Sequence, residues 1–593
     1  MCGIAGAFAR DGSRVDRSAV ERLSDGLRRR GPDGSGFWTD DDGRVAFGHR
    51  RLAVIGLGPG GAQPLHDAEG RYVITFNGEI YNYRELRAEL EREGCRFLGQ
   101  SDTEVVVQVV ARWGERGLRR LRGMFAFALW DRETREGWLV RDPFGIKPLY
   151  WSVAGSTVWF ASQARPLSAV PGLDATRDPA ALAGFYQWGH VPEPFTWWNG
   201  IRSFPAGHVL RLKEGEPLGT PEPFFRIADC FLDAPAALAE GELESLLRDS
   251  VAHHLVADIP VGLFLSSGID STLLAVLASE VVPRLSTVTL AFEDFRGTEA
   301  DEAPLAEATA RTLGSDHVTW RMTREEFDGL VDDFIAVMDQ PTIDGLNSYC
   351  VSYATARSGI KVAMSGLGAD ELFAGYPSFT TIPKWLRAGR WLPPGSRRIA
   401  PFAARALMGI GAPAKAAQLL GIDDLASAYL LRRSLHAAGE LDALLDREWL
   451  QAGLAKLATE EALRRDVAAL EAEGRGLRSQ ISLLETSWYM RNQLLRDTDW
   501  ASMAHGLEVR VPFVDVPLFR RVAAASASER APTKADLARS SARMPDAIVN
   551  RRKTGFTTPV RSWLDGTGAG GTGLRDWSKR VHALFGKQTP EWA

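Results

Sequence analysis

VGLFLSSGIDSTLLAVLASE, residues 261–280, is the stretch that indicates the fold most directly. Its first five residues form an apolar, strand-like run, and residues 271–280 have the composition of a helix. Between them, Ser266, Ser267 and Gly268 form a turn whose backbone N–H groups, with the helix N-terminus, suit a bound anion. The lysine of the standard phosphate-binding loop is missing, which excludes that motif.

The same alternation of strand and helix continues on the C-terminal side. Strand-like residues 286–292 precede helix-like residues 304–313, and strand-like residues 361–365 follow a further helix. Repeated strand–helix units predict an α/β fold with a parallel, doubly wound sheet. Residues 396–540 look mainly helical, which predicts a helical extension, and GTGAGGTG at 566–573 is typical of a flexible loop.

The N-terminal side of the chain has a different pattern. Short apolar runs bounded by Gly, Asp and Asn predict stacked strands. The predicted strands are residues 45–47, 51–55, 72–76, 124–129 and 137–140; the predicted helices are residues 83–93 and 102–113, the second behind the cap Ser101.

The domain boundary is predicted at the stretch KEGEPLGTPEP, residues 213–223, which is rich in Pro and Gly. A chain of 593 residues exceeds what one hydrophobic core usually organises. We therefore predict an N-terminal domain of residues 1–212, a linker of residues 213–235 and a C-terminal domain of residues 236–593.

Composition and charge exclude several classes of protein. With 45% hydrophobic residues and a net charge of -5, the chain is too apolar for bulk disorder and lacks the basic excess that nucleic-acid binding needs. Its four cysteines, Cys2, Cys95, Cys230 and Cys350, are too far apart for a zinc motif or a disulfide framework. No apolar run reaches the ~18 residues of a membrane span, and the start is no signal peptide. We expect a cytoplasmic protein without a membrane partner.

Cys2 follows the initiator Met and precedes the small Gly3. If Met1 is removed, Cys2 carries both a thiol and a free α-amino group with an unperturbed pKa of ~7.7–8.0, which accepts a proton near neutral pH. One residue would then supply the nucleophile and the base. The tripeptide alone does not separate this hypothesis from an accidental cysteine, but the motifs that follow do.

Further motifs follow the MCGI start in order, and together they resemble the class II glutamine amidotransferases. They are RRGPDG (29–34), GHRRL (48–52), FNGEIYN (76–82), SDTE (101–104) and RDPFGIKPLY (141–150). The resemblance implies an αββα sandwich of the N-terminal-nucleophile (Ntn) hydrolase type, in which Cys2 attacks the side-chain amide of glutamine and releases ammonia.

The roles implied by this resemblance are chemically reasonable for a glutamine site. Arg51 would pair with the substrate carboxylate through its guanidinium fork. Asp102 and Glu79 would receive the substrate ammonium. The Asn77 amide and the Gly78 N–H would hold the oxyanion of the tetrahedral intermediate, and Gly78 allows a close backbone approach.

The C-terminal half carries a second resemblance. SSGIDS (266–271) resembles the SGGxDS pyrophosphate loop of the ATP-pyrophosphatase superfamily, with Ser267 in place of the first Gly. SGLGADELFAGY (365–376) resembles the second nucleotide loop of glutamine-dependent asparagine synthetases. Such enzymes adenylate a carboxylate and release pyrophosphate. The implied ATP-binding residues are Leu265, Ser266, Ser267, Gly268, Asp270, Ser271, Leu290, Ser365 and Gly366.

The same resemblance implies magnesium and a catalytic lysine. Asp270 and Asp370 would hold Mg²⁺ on the pyrophosphate. Lys553, in RRKTGF (551–556), would face the ATP phosphates and stabilise the charge that develops on pyrophosphate. ATP and Mg²⁺ are therefore the expected cofactors, with no tightly bound organic cofactor.

One position departs from the family. Asparagine synthetases usually carry Glu where this chain has Leu367, and leucine neither accepts a proton nor holds ammonium. The expected partners are glutamine, ATP and an acceptor acid, either aspartate or another carboxylate such as a sugar acid, with a homodimer as a candidate assembly. Asp344 and Asn347 either line the acceptor pocket or cap a helix. A ring-closing synthetase and a non-enzymatic sensor are disfavoured alternatives, because the motif sets of both halves are complete.

Overall fold

The computed structural model describes residues 2–234, 236–389, 418–419, 422–551, 563 and 573–587. Three predictions therefore fall wholly or partly outside the described residues. They concern Lys553 with most of its RRKTGF motif, the loop at 566–573, and residues 396–417, 420 and 421 of the predicted helical extension.

Two antiparallel sheets of six strands each form the N-terminal part of the chain. Their strands are β1 (Cys2–Ala9), β2 (Gly34–Thr39), β3 (Val45–Arg51), β4 (Leu65–His66), β5 (Tyr72–Ile80), β6 (Gly123–Asp131), β7 (Glu136–Arg141), β8 (Tyr150–Ala154), β9 (Thr157–Ala161), β10 (Ile201–Ser203), β11 (His208–Lys213) and β12 (Glu222–Pro223). The first sheet has the order β10-β8-β9-β1-β3-β2, and the second has the order β12-β11-β7-β6-β5-β4. The Pro- and Gly-rich stretch thus ends in β12, which pairs with β11.

The helices of this part are α1 (Arg17–Asp25), α2 (Tyr83–Arg92), α3 (Asp102–Trp113), α4 (Glu115–Leu118), α5 (Ala164–Leu167) and α6 (Pro179–Trp188). Helices predicted at 83–93 and 102–113 correspond to α2 and α3, and the Ser101 hydroxyl accepts the Glu104 N–H at 3.3 Å as the predicted cap.

Side-chain alternation along β1 explains how the layers stack. Ile4 and Phe8 point into the core between the two sheets, whereas the small Ala5 and Ala7 point to the other face, which α1 covers. On the far side, α2 and α3 pack against the second sheet. The layers are therefore α, β, β and α, and the predicted sandwich is confirmed.

The strand predicted at residues 51–55 is wrong. Arg51 is the last residue of β3, and the chain continues without regular structure. Leu52 and Val54 are buried in the core, so their apolar character reflects burial of an irregular segment. A side chain supplies a backbone partner here, because the Asp33 carboxylate accepts the Ala53 N–H at 2.9 Å.

A parallel sheet of five strands forms the core of the C-terminal part. Its strands are β13 (Val261–Phe264), β14 (Ser286–Phe292), β15 (Asp316–Met322), β16 (Val362–Met364) and β17 (Glu508–Arg510), in the order β15-β14-β13-β16-β17. From β13 the chain runs outward first to one side and then to the other. The strand order therefore reverses between β13 and β16, where the carboxyl ends of the strands border a crevice that typically binds ligands.

Helices surround this sheet and extend beyond it. They are α7 (Ile227–Leu232), α8 (Glu242–His254), α9 (Ile269–Val281), α10 (Ala303–Leu313), α11 (Arg324–Val337), α12 (Leu346–Arg357), α13 (Ala369–Leu372), α14 (Ser378–Gly389), α15 (Leu425–Arg433), α16 (Ala438–Leu441), α17 (Arg447–Leu457), α18 (Thr459–Ala472), α19 (Leu477–Leu484), α20 (Arg496–Met503), α21 (Val516–Ala525), α22 (Lys534–Ala538), α23 (Asp546–Val549) and α24 (Leu574–Phe585). A π-helix, Glu485–Leu495, joins α19 to α20. The predicted α/β class with a helical extension is confirmed.

Candidate functional site

Cys2 begins β1 at the centre of the first sheet. It lies opposite Arg51 of β3 and is almost fully buried. Its backbone N–H donates to the Asn77 side-chain oxygen at 3.0 Å, which joins the two sheets at this point. Burial raises the pKa of the Cys2 thiol, so a nearby base is needed to form the thiolate nucleophile at neutral pH.

Asn77, Gly78 and Glu79 lie on β5 next to Cys2. The Asn77 amide nitrogen is buried and donates no hydrogen bond to any residue that the structure describes. Gly78 lies so close to β6 that a Cβ would come within 2.2 Å of the Met124 carbonyl oxygen. This packing excludes a larger side chain, and the unused amide N–H suits a developing oxyanion.

Asp102 begins α3 beside the end of β5. Its carboxylate accepts the Ile80 N–H at 3.0 Å and the Thr103 N–H at 2.8 Å. Burial nevertheless raises the pKa of Asp102 to about 6. Burial, with the negative charges of Glu508 and Asp102, raises the pKa of Glu79 well above its usual range. Two buried acids near Cys2 are suited to receive a substrate ammonium.

The Arg51 guanidinium is held by a glycine-rich loop. It donates to the Gly58 carbonyl at 3.2 Å and to the Gly56 carbonyl. A Cβ on Gly61 would collide with this guanidinium. The loop thus fixes the cation beside Cys2, its partner in the β1–β3 ladder. The structure brings together all the residues predicted for glutamine.

The predicted pyrophosphate loop connects β13 to α9. The Ser271 hydroxyl accepts the Ser266 N–H at 3.1 Å, and the Ser266 hydroxyl accepts the Gly268 N–H at 3.2 Å. These bonds close a tight turn immediately before the helix N-terminus, which carries Asp270 in its first turn. The arrangement suits an anion at the start of α9.

The second loop meets the first across the crevice between β13 and β16. A Cβ on Gly366 would lie 2.9 Å from the Asp270 Cβ, so the two loops approach closely there. Ser365 donates its N–H to the Arg510 carbonyl at 2.8 Å. Leu265 and Leu290 are buried in apolar clusters of the sheet, and Leu265 immediately precedes Ser266 of the turn.

The Asp270 and Asp370 carboxylates converge on one cation, Lys534. The Lys534 ammonium contacts Asp270 and lies 2.9 Å from Asp370 Oδ1. Two hard carboxylate oxygens that reach a common point suit Mg²⁺ shared with substrate phosphates. The donor set therefore fits the predicted magnesium. No cluster of three or more potential metal ligands occurs among the described residues.

Sequence reasoning missed several charged residues at these sites. Lys534 and Arg551 lie near the nucleotide loops, and Arg551 donates to the Ser267 hydroxyl and carbonyl. On β17, Arg510 bonds Glu508 at 2.6 Å and lies 3.9 Å from Glu79. Arg551 begins the RRKTGF motif but was given no role there. Lys534, Glu508 and Arg510 were not predicted, because only the fold brings them to the predicted motifs.

The candidate acceptor residues lie around the start of α12. Gly345 is the N-cap and no side chain caps the helix, so the cap interpretation of Asp344 and Asn347 is not supported. Burial raises the pKa of Asp344. Leu367 packs against the apolar core.

Across the described part of the chain, no helix is both long and apolar enough to span a membrane.

Each half of the chain matches a known protein family, and full-length relatives match both halves together. The family described as a glutamine amidotransferase domain matches residues 1–222, and the family described as asparagine synthase matches residues 242–577. A putative glutamine-hydrolysing asparagine synthetase of Mycobacterium tuberculosis is 34% identical over 95% of this chain and 88% of its own length. Asparagine synthetase 1 of Bacillus subtilis, also named glutamine-hydrolysing, is 31% identical over the same shares. A protein of Gibberella zeae named amidase chry2 is 31% identical over 64% of this chain and 60% of its own length.

Proposed function

The chain belongs to the glutamine-hydrolysing asparagine synthetase family, a family of ATP-using ligases, and from this premise we propose how its two sites divide the reaction. The N-terminal site releases ammonia from glutamine. The C-terminal site joins an acceptor carboxylate to AMP, and ammonia then displaces AMP to form an amide. The observation that carries the proposal is the contact of Cys2 with Asn77, whose amide nitrogen is unused by the described residues.

In the glutaminase half, Arg51 holds the substrate carboxylate, and Asp102 with Glu79 holds the substrate ammonium. After removal of Met1, the free amine of Cys2 takes the thiol proton, and the sulfur attacks the side-chain amide. The Asn77 amide and the Gly78 N–H stabilise the oxyanion. The protonated amine then returns its proton to the leaving nitrogen, so the tetrahedral intermediate collapses to a thioester and ammonia. Water hydrolyses the thioester, which releases glutamate and restores the thiol.

In the synthetase half, the turn at residues 266–271 receives the ATP phosphates at the start of α9. Asp270 and Asp370 would hold Mg²⁺, which neutralises charge on the departing pyrophosphate when bound. Lys534 lies between the same carboxylates and supplies a further cation there. We assign Lys553 to the same phosphates as part of the proposal. The adenine side is assigned to Leu265, Leu290, Ser365 and Gly366.

We propose that ammonia passes from the glutaminase site to the synthetase site where the two halves of the chain meet. Glu79 of the glutaminase site lies 3.9 Å from Arg510 of β17, the edge strand of the synthetase sheet. Ammonia is largely protonated in neutral water and is then no nucleophile, so a shielded passage favours the reaction.

The proposed domains keep the boundaries predicted from the sequence. They are a glutaminase domain of residues 1–212, a linker of residues 213–235 and a synthetase domain of residues 236–593.

The acceptor is the part of the function that Leu367 puts in question. Aspartate is the acceptor that the names of the relatives suggest. We keep a second candidate, another carboxylic acid such as a sugar acid or a natural-product acid, because Leu367 removes the usual carboxylate from the second loop.

We further propose that the enzyme is cytoplasmic, that its four cysteines are free thiols and that it assembles as a homodimer.

An acceptor screen tests the proposal. Purified enzyme, glutamine and Mg·ATP are incubated with aspartate, other amino acids or uronic acids, and AMP, pyrophosphate and amide are measured by mass spectrometry. Asparagine formation identifies aspartate; AMP and amide with another acid alone identify the second candidate. Cys2→Ala should abolish glutamine use and keep synthesis from ammonium chloride. Retention of glutamine hydrolysis by that variant would contradict the proposed nucleophile.

A further inference from the structure

A buried group of three charges holds the main chain of Cys2. Arg30 Nε donates to the Cys2 carbonyl at 3.2 Å, and the two terminal nitrogens of Arg30 bond the Asp499 carboxylate at 2.7 and 3.3 Å. Lys147 Nζ donates to the same carboxylate at 3.1 Å. We call Arg30, Lys147 and Asp499 the Cys2 clamp. Asp499 lies on α20, which follows the π-helix of the synthetase half, whereas Arg30 and Lys147 come from the glutaminase half.

Burial of the three charges of the Cys2 clamp costs free energy. The side chains of all three residues are at most 2% exposed, so their charges have lost nearly all contact with water. Burial raises the pKa of Asp499, but the charges of Arg30 and Lys147 outweigh it and hold that pKa below its usual value. Buried ion pairs contribute little net stability compared with well-packed apolar residues. A positional role explains the clamp better than a stabilising one.

The bonds of the clamp restrict the peptide unit that carries the nucleophile. Cys2 is held at its nitrogen by Asn77 and at its carbonyl by Arg30, so its backbone has little freedom to rotate. The direction of the Cα–Cβ bond, and therefore the position of the sulfur, follows from that backbone. A misplacement of about 1 Å in a catalytic group costs about a hundredfold in rate.

The helix that carries Asp499 is also fixed to the synthetase side. Two residues earlier, Asp497 accepts the Thr342 hydroxyl at 2.6 Å and the Trp500 indole N–H at 3.1 Å. Thr342 belongs to the segment that leads into α12, beside the candidate acceptor residue Asp344. One short helix thus contacts both the acceptor side of the synthetase and, through Arg30, the nucleophile of the glutaminase.

We propose that Asp499 is a positioning residue for glutamine hydrolysis, supplied by the synthetase half and acting on Cys2 through Arg30. The inference rests on the proposed function of Cys2 and adds a requirement to it. The glutaminase site is complete only when α20 is seated against the N-terminal half.

The test compares Asp499→Asn with a matched control at the same interface. Arg29, the neighbour of Arg30, forms an exposed ion pair with Asp333 of α11 at 2.8 Å, and Asp333→Asn weakens that pair. For each enzyme we would measure glutaminase kcat, KM for glutamine, and amide synthesis from ammonium chloride. For Asp499→Asn we expect glutaminase kcat to fall about 10- to 100-fold, with KM and ammonia-dependent synthesis within about twofold of wild type. Asp333→Asn should match wild type in every assay.

A second pair of variants separates positioning from folding. Asp499→Glu keeps the charge and should recover part of the lost kcat. If Asp499→Asn loses ammonia-dependent synthesis as well, Arg30→Lys decides, because lysine keeps the charge but cannot bond Asp499 and the Cys2 carbonyl with one fork. Wild-type glutaminase kcat in a folded Asp499→Asn or Arg30→Lys enzyme would overturn the inference. A wild-type enzyme that does not hydrolyse glutamine at all would instead refute the proposed function.

Discussion

Asp102 combines burial with a proposed role that requires charge. Its pKa of about 6 lies above the usual value for aspartate because burial disfavours the carboxylate. An acid with a raised pKa is ionised above that value and takes up a proton as the pH falls through it. The proposed pairing with the glutamine ammonium therefore depends on pH close to the neutral range.

The first prediction concerns this pH dependence. In the Cys2→Ala background, which removes hydrolysis, the Kd for glutamine should rise about tenfold per pH unit well below about pH 6, because Asp102 takes up a proton there. Isothermal titration calorimetry from about pH 5 to about pH 8 measures it. The matched variant Asp102→Asn should bind weakly with no such pH dependence. A wild-type-like pH profile in Asp102→Asn would show that another group is responsible.

Single residues differ in how far the sequence could assign them. Cys2, Asn77 and Asp102 were identifiable because each stands in a contiguous motif. Lys534 was not, because its meaning comes from a contact with Asp270 and Asp370 that only the fold creates. A lysine on a short helix has the same local pattern whether it faces water or two carboxylates.

At the scale of elements, the pairing of β5 with β6 is what leaves no room beside Gly78. A Cβ at this position would lie 2.2 Å from the Met124 carbonyl oxygen and 2.7 Å from the Phe125 Cα. Both are backbone atoms of the neighbouring strand, and neither can move aside as a flexible side chain could. Replacement of this glycine must therefore shift the ladder that carries Asn77.

The second prediction follows for Gly78→Ala. Overpacking of a strand pair costs about 1–3 kcal/mol, so the thermal midpoint should fall and glutaminase activity should be lost, while ammonia-dependent synthesis persists. Differential scanning fluorimetry and the two activity assays measure these effects. Gly219→Ala is the control, because no atom lies within 4 Å of its added Cβ. An unchanged midpoint and normal glutaminase activity in Gly78→Ala would refute the steric argument.

Elements were predictable where local periodicity and packing agree. The helices at α2 and α3 and the strand β14 follow their patterns closely. The strand predicted at residues 51–55 was wrong because apolar residues can be buried in an irregular segment as well as in a strand. The π-helix before α20 was not predicted: its i→i+5 hydrogen bonds distinguish it from an α-helix, and composition alone does not indicate them.

At the scale of the molecule, the two halves meet through buried charges as well as apolar surface. Arg122 of the N-terminal half bonds Asp515 at 2.6 and 2.8 Å, and Glu79 approaches Arg510 near the glutaminase site. Such contacts join distant parts of the sequence. The parallel sheet and the sandwich were each predictable, but their mutual docking was not.

The third prediction tests transfer between the halves. Enzyme turning over glutamine with an isotopically labelled amide nitrogen, in excess unlabelled ammonium chloride, should place mostly labelled nitrogen in the amide product. A shielded passage gives this result because released ammonia does not equilibrate with water before it reacts. Mass spectrometry of the product measures the label. Full dilution of the label by the added ammonium would show that ammonia escapes to solvent first.

The Cys2 clamp also has a consequence for building hybrid enzymes. Asp499 of α20, through Arg30, holds the carbonyl of Cys2, the proposed nucleophile. A glutaminase domain transferred to a foreign synthetase therefore loses part of the structure that positions this residue. A partner that offers a neutral side chain at the position of Asp499 would leave the Arg30 guanidinium buried without its counter-charge. Donor and recipient for such a domain exchange are therefore better matched by this one ion pair than by overall sequence identity.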